Sequence, residues 1–187
     1  MSEAFEICTD RLRIRSWRDD DFDAYAAMNA DPRVMEFFPS VVSREESRAR
    51  FARGNARLAA RGYGMWPVEV IGGAPFIGIV GLADPDFSAH FTPAVEIGWR
   101  LAAAYWGSGY ATEAARAVLA FGFERLVLPE IVSFTTTANV RSRRVMEKLG
   151  MRHAPDEDFL HPLIPEGHPL RPHVLYRLRR AQSASQK

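Results

Sequence analysis

Three strand-like segments that run into a long helix constrain the fold of this chain more than any other feature. Residues 63–71, 76–82 and 94–101 are rich in β-branched and aromatic side chains, and glycine or proline turns separate them. Consecutive strands with such short connections form an antiparallel meander. The amphipathic segment 109–126 follows at once and predicts a helix that packs through its apolar side.

The rest of the chain adds shorter helices and strands around this unit. Composition and capping signals predict strands at 11–15, 131–137 and 173–178, and helices that begin near Asp19, at Ser43 and after Asn139. Residues 152–172 are predicted as a loop or an irregular strand pair, and residues 1–8 and 181–187 as flexible ends. The order of elements predicts one α+β domain over residues 1–187, with mixed layers of helix and sheet.

The composition argues against several classes of protein. The 24 Lys and Arg nearly balance the 23 Asp and Glu, so the chain lacks the basic excess of a dedicated nucleic-acid binder. Cys8 is the one cysteine, which rules out an internal disulfide, and we expect it to be a small buried residue. No apolar run approaches the roughly 20 residues that span a bilayer, and no signal-peptide pattern is present. We therefore expect a cytoplasmic enzyme or binding protein with no nucleic-acid or membrane partner.

A glycine-rich turn is predicted where the third strand gives way to the long helix. The sequence there is Trp106-Gly107-Ser108-Gly109-Tyr110-Ala111-Thr112-Glu113. Unpaired N–H groups converge at the start of a helix, and glycines let the backbone approach a ligand closely, so a phosphate group fits this position. The turn matches neither the P-loop nor the dinucleotide-binding pattern. A plain glycine turn before a helix explains the spacing equally well.

A second candidate segment lies where the strand at 131–137 gives way to the next helix. Asn139 is the expected N-cap, and Ser142 lies one turn further on the same side. The Asn139 amide could bridge to a ligand along the strand end. Taken alone, ordinary capping beside a solvated basic helix face explains this segment better.

Glu96 is the third candidate, because it interrupts an otherwise apolar strand segment. Gly98 follows it, and a glycine inside a strand indicates a bulge or a close backbone approach. A carboxylate on a strand usually marks an exposed face. If Glu96 instead lines a cleft, burial raises its pKa towards a value that suits a general base.

Together these segments resemble the GNAT superfamily of N-acetyltransferases. Residues 107–114 are similar to the pyrophosphate-binding loop of that family, and closest to the branch that includes the ribosomal-protein alanine N-acetyltransferases. The similarity extends, in the family's order, to residues 10–15, 96–99, 139–142 and 148–151. Each motif is weak alone, but four motifs in register, with 139–142 and 148–151 counted as one, are specific.

The resemblance implies a mixed, mostly antiparallel sheet of about seven strands with about four helices, in which two central strands separate to hold acetyl-CoA. The pyrophosphate would lie on backbone N–H groups of Gly107, Ser108, Gly109, Tyr110, Ala111 and Thr112. The pantetheine arm would contact Asn139 and pair, like an additional strand, with Trp99, Arg100 and Leu101. No metal is implied, and members of this branch often form homodimers.

Two positions depart from the family pattern. Trp106 stands where the loop usually begins with Arg or Gln, at a position that contributes packing and backbone. Met146 stands where many members have a tyrosine that protonates the departing thiolate. Ser142 occupies the position of a serine proposed as the substitute acid in the ribosomal-protein branch.

The resulting hypothesis is acetyl transfer from acetyl-CoA to a primary amine, in a small molecule or at a protein N-terminus. Glu96 would take a proton from the ammonium, a backbone N–H near Gly98 would hold the oxyanion, and Ser142 would donate to sulfur. Segments 34–42 and 152–172 are expected to flank the acceptor. The histidines near this end follow no ligand spacing, so no metal site is predicted.

Two other functions stay open at this point. A catalytically silent CoA-binding or sensing domain would explain the missing tyrosine at Met146, whereas Glu96 and Ser142 argue against it. An RNA-associated factor would rest on the arginines of residues 141–144, which a solvated helix face or contacts to the nucleotide end of CoA explain better.

Overall fold

The computed structural model describes residues 5–180, which form a nine-stranded sheet with four α-helices. The strands are β1 (Glu6–Cys8), β2 (Leu12–Arg15), β3 (Met65–Val70), β4 (Gly78–Ala83), β5 (Glu96–Leu101), β6 (Glu130–Thr136), β7 (Arg152–His153), β8 (Phe159–Leu160) and β9 (Pro172–Arg179). The helices are α1 (Asp21–Ala30), α2 (Arg44–Arg61), α3 (Tyr110–Glu124) and α4 (Val140–Lys148). The predicted α+β class is confirmed.

The predicted antiparallel meander is confirmed, and it ends at a break in the sheet. Strands β1 to β5 pair in chain order, each antiparallel to the one before. Strand β6 then joins β5 in parallel through a single pair, Glu96 with Val132, and runs antiparallel to β9. Because β5 and β6 pair only where β5 begins, the two strands separate along the rest of their length.

Alternating side chains divide the core between the two faces of the sheet. On β4, Val80 and Leu82 pack in one cluster with Val118 of α3, whereas Ile79 packs in another with Tyr25 of α1. The predicted apolar side of the long helix is therefore confirmed. Between residues 5 and 180, no helix is long and apolar enough to cross a membrane.

The ends of α2 follow the sequence signals, but the start of α1 does not. Ser43 caps α2, and Gly62 ends it with a left-handed φ of +73°. Asp20, at the N-cap of α1, makes no capping bond. Asp21 instead binds Arg15 through both carboxylate oxygens, at 2.7 and 2.8 Å. Leaving the buried guanidinium unpaired would cost more free energy than leaving the N–H groups at the helix end to water.

The N-terminal segment corrects two predictions. Residues 6–8, expected in a flexible end, form β1, and Phe5 stacks on the buried Trp66 ring with centroids 4.1 Å apart. Cys8 is exposed rather than buried. With β1, and with β7 and β8 both paired to β9, the sheet has nine strands instead of about seven. The other residues of the predicted flexible ends, 1–4 and 181–187, lie outside the described part of the chain.

Candidate active site

The separation of β5 from β6 opens a cleft of about 580 Å³. Residues 96–101 of β5 form one wall, and residues 133–135 of β6 form the other. Where the strands still pair, Ser133 Oγ donates to the Ile97 carbonyl at 2.9 Å, and this bond joins β6 to β5 at the closed end of the cleft. Segment 34–39, the glycine turn and the first turns of α4 complete the walls.

The backbone of β5 directs hydrogen-bonding groups into this gap. Ala102 N–H donates to the Ile77 carbonyl beside β4, so alternate residues of β5 also face β4. The N–H groups of Trp99 and Leu101 therefore point towards β6, which no longer pairs there. An extended amide chain could bind this edge as another strand would.

Two glycines shape the turn at the start of α3. Gly107 and Gly109 have φ of +77° and +82°, in the left-handed region that residues with a side chain rarely adopt. The helix begins without a side-chain cap, so the N–H groups of residues 110–112 have no partner within it, and these residues line the cleft. Ser108 is exposed on the turn and is the one predicted loop residue of 107–112 that does not line the cleft; its carbonyl accepts from Arg11.

Asn139 and Ser142 form one hydrogen-bonded unit at the start of α4. The side-chain oxygen of Asn139, Oδ1, caps the helix by accepting from the Ser142 N–H at 3.1 Å. Its amide nitrogen donates to Thr135 Oγ1 at 3.0 Å and to Ser142 Oγ at 3.1 Å. Because Ser142 Oγ already accepts a bond, its own proton is free to be donated into the cleft. Met146, in the position of the family's tyrosine, is buried in the core.

Glu96 lies on the cleft wall and is largely enclosed by protein. Burial, reinforced by the negative charge of Asp86, raises the pKa of this carboxyl to about 8. Of the two features predicted at Gly98, a bulge or a close backbone approach, the bulge is wrong, since Gly98 pairs with Gly81 in an unbroken register. No backbone atom from elsewhere in the described residues lies within 4 Å of a Cβ built at Gly98 either. A Cβ on Gly98 would stand 3.9 Å from Glu96 Oε1 and 4.0 Å from Met65 Cε, in contact with both side chains. The glycine therefore keeps free the room beside the carboxylate, where a reacting group would fit.

Arg100 follows Glu96 on β5 by four residues. Because side chains alternate along a strand, the two side chains lie on the same side of the sheet. Its Nη1 donates to Asn29 Oδ1 at 2.6 Å, and its guanidinium lies over the Phe38 ring, 4.5 Å from the centroid. Burial lowers the pKa of this guanidinium. The sequence predicted a role for the backbone of Arg100, and the structure adds a charged side chain on the cleft wall.

The GNAT acetyltransferase domain family matches residues 11–152, which is most of the chain. The chain belongs to the GNAT acetyltransferase family. It is therefore an acetyl-CoA-dependent acyltransferase, and the resemblance read from the sequence motifs is confirmed.

Individual GNAT relatives agree with this family. YnaD, an uncharacterised N-acetyltransferase of Bacillus subtilis, is 34% identical over 161 residues, which cover 86% of this chain and 89% of YnaD. A GNAT-family acetyltransferase structure from Bacillus anthracis is 30% identical with a TM-score of 0.79, covering 95% of this chain and 99% of that one. A ribosomal L7/L12 α-N-protein acetyltransferase solved with coenzyme A shares the fold at 18% identity, with a TM-score of 0.73 and coverage of 94% and 98%.

Two histidines border the GNAT cleft beyond β6. His161 and His173 both line it, with ring centroids 4.9 Å apart. Burial lowers the pKa of both rings, and that of His173 to about 4, so both are neutral at physiological pH. In the described residues 5–180, no three His, Cys, Asp or Glu side chains come together as metal ligands do.

The cleft also contains residues that sequence reasoning missed. Phe37 and Phe38 were expected only as part of a flanking segment, and Ser133 was not singled out at all. Neither was Asn29, which is buried behind the cleft wall and binds Arg100. Asn29 offered a usable signal, because it is a polar residue in the last turn of a helix whose neighbours are apolar. Asn139 and Ser142, which the sequence placed one turn apart, are brought into direct contact.

Proposed function

We propose that this GNAT protein moves the acetyl group of acetyl-CoA to a primary amine by direct attack within a ternary complex. The observation that carries the proposal is the open edge of β5, which lies between the uncapped start of α3 and Glu96. The open edge suits an amide-containing arm, the start of α3 suits a pyrophosphate, and Glu96 suits a reacting amine.

Acetyl-CoA is the proposed acyl donor, and the residues of the cleft fit its chemistry. The first N–H groups of α3, in residues 110–112, and the turn at 107–109 would hold the pyrophosphate. Along the edge formed by Trp99, Arg100 and Leu101, the Trp99 carbonyl and the Leu101 N–H would pair with the pantetheine amides, which leaves the Trp99 N–H for the thioester carbonyl. Asn139, whose side chain is already occupied by Thr135 and Ser142, would act mainly by fixing that wall.

Glu96 is the proposed general base. An amine arrives as an ammonium ion and must lose a proton before its nitrogen can attack the thioester carbonyl carbon. A carboxyl with a pKa of about 8 accepts that proton far more readily than an ordinary glutamate does. Glu96 takes it directly or through a water molecule.

Bond formation and departure then use groups on the two walls. The new C–N bond places negative charge on the carbonyl oxygen, and the Trp99 N–H, the free donor next to Gly98, stabilises it. The C–S bond breaks while the Ser142 hydroxyl donates a hydrogen bond to the departing sulfur. The nitrogen, positively charged after the attack, releases its surplus proton to the thiolate or to water, which leaves the neutral amide. A thiol with a pKa of about 8.5 is a tolerable leaving group, so this acid contributes modestly.

No acetylated enzyme intermediate is needed for this transfer, because two bound substrates already meet in one cleft. Cys8, the single cysteine, lies on β1, four strands from β5 and therefore about 19 Å away by strand spacing. The acceptor would be a small amine or a protein N-terminus. The homodimer expected from the resemblance stays a prediction, which light scattering would check.

The decisive test combines calorimetric titration of CoA with a thiol-release assay that uses acetyl-CoA and a panel of amines and N-terminal peptides. We expect CoA binding and turnover of at least one acceptor. Tight CoA binding without turnover across the panel would favour the silent sensing domain, for which the buried Met146 in place of tyrosine is the supporting observation. Absence of CoA binding would overturn the proposal.

A further inference from the structure

Arg100 carries a positive charge on the cleft wall that the protein does not neutralise. Within residues 5–180 no carboxylate forms an ion pair with it, and its hydrogen bond to Asn29 joins it to a neutral amide. Its Nε is buried without a hydrogen-bond partner. Burying a cation in this state costs free energy, so folding alone gives no reason for it.

The guanidinium is nevertheless held firmly in one place. Asn29 is fully buried, and its amide nitrogen donates to the equally buried Ser47 Oγ at 3.1 Å. This chain of bonds ties Arg100 to α1 and α2, and the Phe38 ring supports its flat face. A side chain fixed in advance loses little entropy when it binds a ligand.

The position of Arg100 relates it to the proposed base. Residues 96, 98 and 100 share one side of β5, while Ile97 and Leu101 on the other side are buried against α3. Glu96 and Arg100 are separated by about 13 Å along the strand, with Gly98 leaving the space between them open. One molecule could therefore contact both charged groups.

Near Arg100, an exposed ion pair bridges two walls of the cleft. Arg141 of α4 forms an ion pair with Glu36 of segment 34–39 at 2.5 Å. The same guanidinium lies over the Trp106 ring at 4.6 Å and over the Phe37 ring at 5.4 Å. These contacts bridge two walls of the cleft, so a small molecule suits this end better than a folded protein surface does.

We infer that the acceptor is a small amine that also carries a carboxylate, with its amino group at Glu96 and its carboxylate bound by Arg100. The inference rests on the proposed acetyl transfer and specifies its substrate class. A guanidinium donates two parallel hydrogen bonds in the geometry that a carboxylate accepts, and its single charge matches that of a carboxylate. Arg100 would then be a specificity-determining residue.

The test uses ω-amino acids of graded chain length, each paired with its own primary amide, as acceptors for the wild-type protein and for Arg100→Gln. Truncating a buried charge pair typically weakens binding by about 30-fold or more. We therefore expect at least one acid to exceed its amide in kcat/KM by about that factor, and R100Q to bring the ratio close to one.

A second variant separates recognition from folding. Asn29→Asp keeps Arg100 but gives it a carboxylate inside the protein, so the KM for the acid should rise while kcat and the KM for acetyl-CoA stay close to wild type. Equal turnover of acid and amide by the wild type would overturn the inference. So would an R100Q variant that weakens acetyl-CoA and both acceptors alike.

The inference can fail or survive independently of the acetyl transfer. If no acceptor is turned over, the same acid and amide pairs are titrated calorimetrically against the CoA-loaded protein. Acid binding that R100Q abolishes would support the carboxylate site even though the proposed function had failed. Binding of no acid in either measurement would overturn the carboxylate site.

Discussion

Arg15 and Arg100 are two arginines withdrawn from solvent, and the fold treats their charges in opposite ways. Arg15 donates five hydrogen bonds, two to Asp21, one to Glu69, and one each to the Ser16 and Pro75 carbonyls. Across residues 5–180, Arg100 donates a single side-chain bond, to Asn29. The protein itself thus provides acceptors for the Arg15 guanidinium, whereas most N–H donors of Arg100 have no acceptor in this part of the chain.

The pKa shifts also distinguish Arg15 from the charged residues of the cleft. The hydrogen bonds to Asp21 raise the pKa of Arg15, which favours its charged form. In the cleft, burial lowers the pKa of Arg100 and raises that of Glu96, which disfavours both charged forms. The comparison teaches that a site built to receive a charged ligand cannot satisfy its own charges beforehand.

The largest expected effect comes from removing the charge of each arginine in turn. Arg15→Gln leaves the buried Asp21 without its main partner, whereas Glu69 keeps Arg13 and Arg18, so we expect the free energy of unfolding to fall by about 3–5 kcal/mol. Arg100→Gln removes a cation that has no ion partner, and we expect a change of less than about 1 kcal/mol. Urea denaturation of both ligand-free variants measures the difference. Equal losses would remove the distinction between the two regions.

Glu96→Gln tests the other charge of the cleft. Loss of a general base typically lowers the rate by about 10²- to 10⁴-fold, whereas CoA affinity should not change. Because the carboxylate must be deprotonated, wild-type kcat/KM should rise as the pH approaches about 8. Dividing it by the value for E96Q with the same amine cancels the titration of the acceptor. A ratio near one at every pH would exclude Glu96 as the base.

The sequence was sufficient for most of the fold because local signals determined it. Ser43 and Gly62 mark the ends of α2, and the strand segments with their turns predict the meander. β1 was missed because a three-residue strand has no periodicity to detect. Its stability comes from pairing with β2 and from the stacking of Phe5 on Trp66, which are contacts between distant parts of the chain.

In the candidate site, too, the sequence motifs were sufficient for some residues, whereas properties that depend on distant contacts were not predictable. Family motifs led to the glycine turn, Asn139, Ser142 and Glu96, and all of them border the cleft or its turn. The charge balance of Arg100 was not predictable, because it depends on Asn29 from a helix about 70 residues earlier. Nor was the raised pKa of Glu96, which depends on the protein that encloses it.

The stability of Glu96→Gln provides a smaller and independent test of the comparison. The pKa of Glu96 is raised from 4.5 to about 8 in the folded protein, so the folded state binds its proton more tightly than the unfolded state does. Wild type is therefore destabilised as the pH rises between these values, and E96Q is not. We expect E96Q to gain stability relative to wild type from pH 4.5 up to about 8, and urea denaturation across this range measures the gap. A constant gap would mean that the carboxylate is not desolvated in the folded protein.

Ser142→Ala is expected to have the smallest effect, because the thiolate leaves without much help. The serine hydroxyl accepts from Asn139 and keeps its proton for the sulfur, but an ordinary thiol with a pKa of about 8.5 tolerates departure as the anion. We expect kcat to fall by about 10-fold or less, with the pH dependence assigned to Glu96 unchanged. Ser142→Thr keeps the hydroxyl and serves as the matched control. A loss of kcat as large as that of E96Q, which Ser142→Thr restores, would make Ser142 an essential acid. Ser142 would then do all that the tyrosine does in other members of the family.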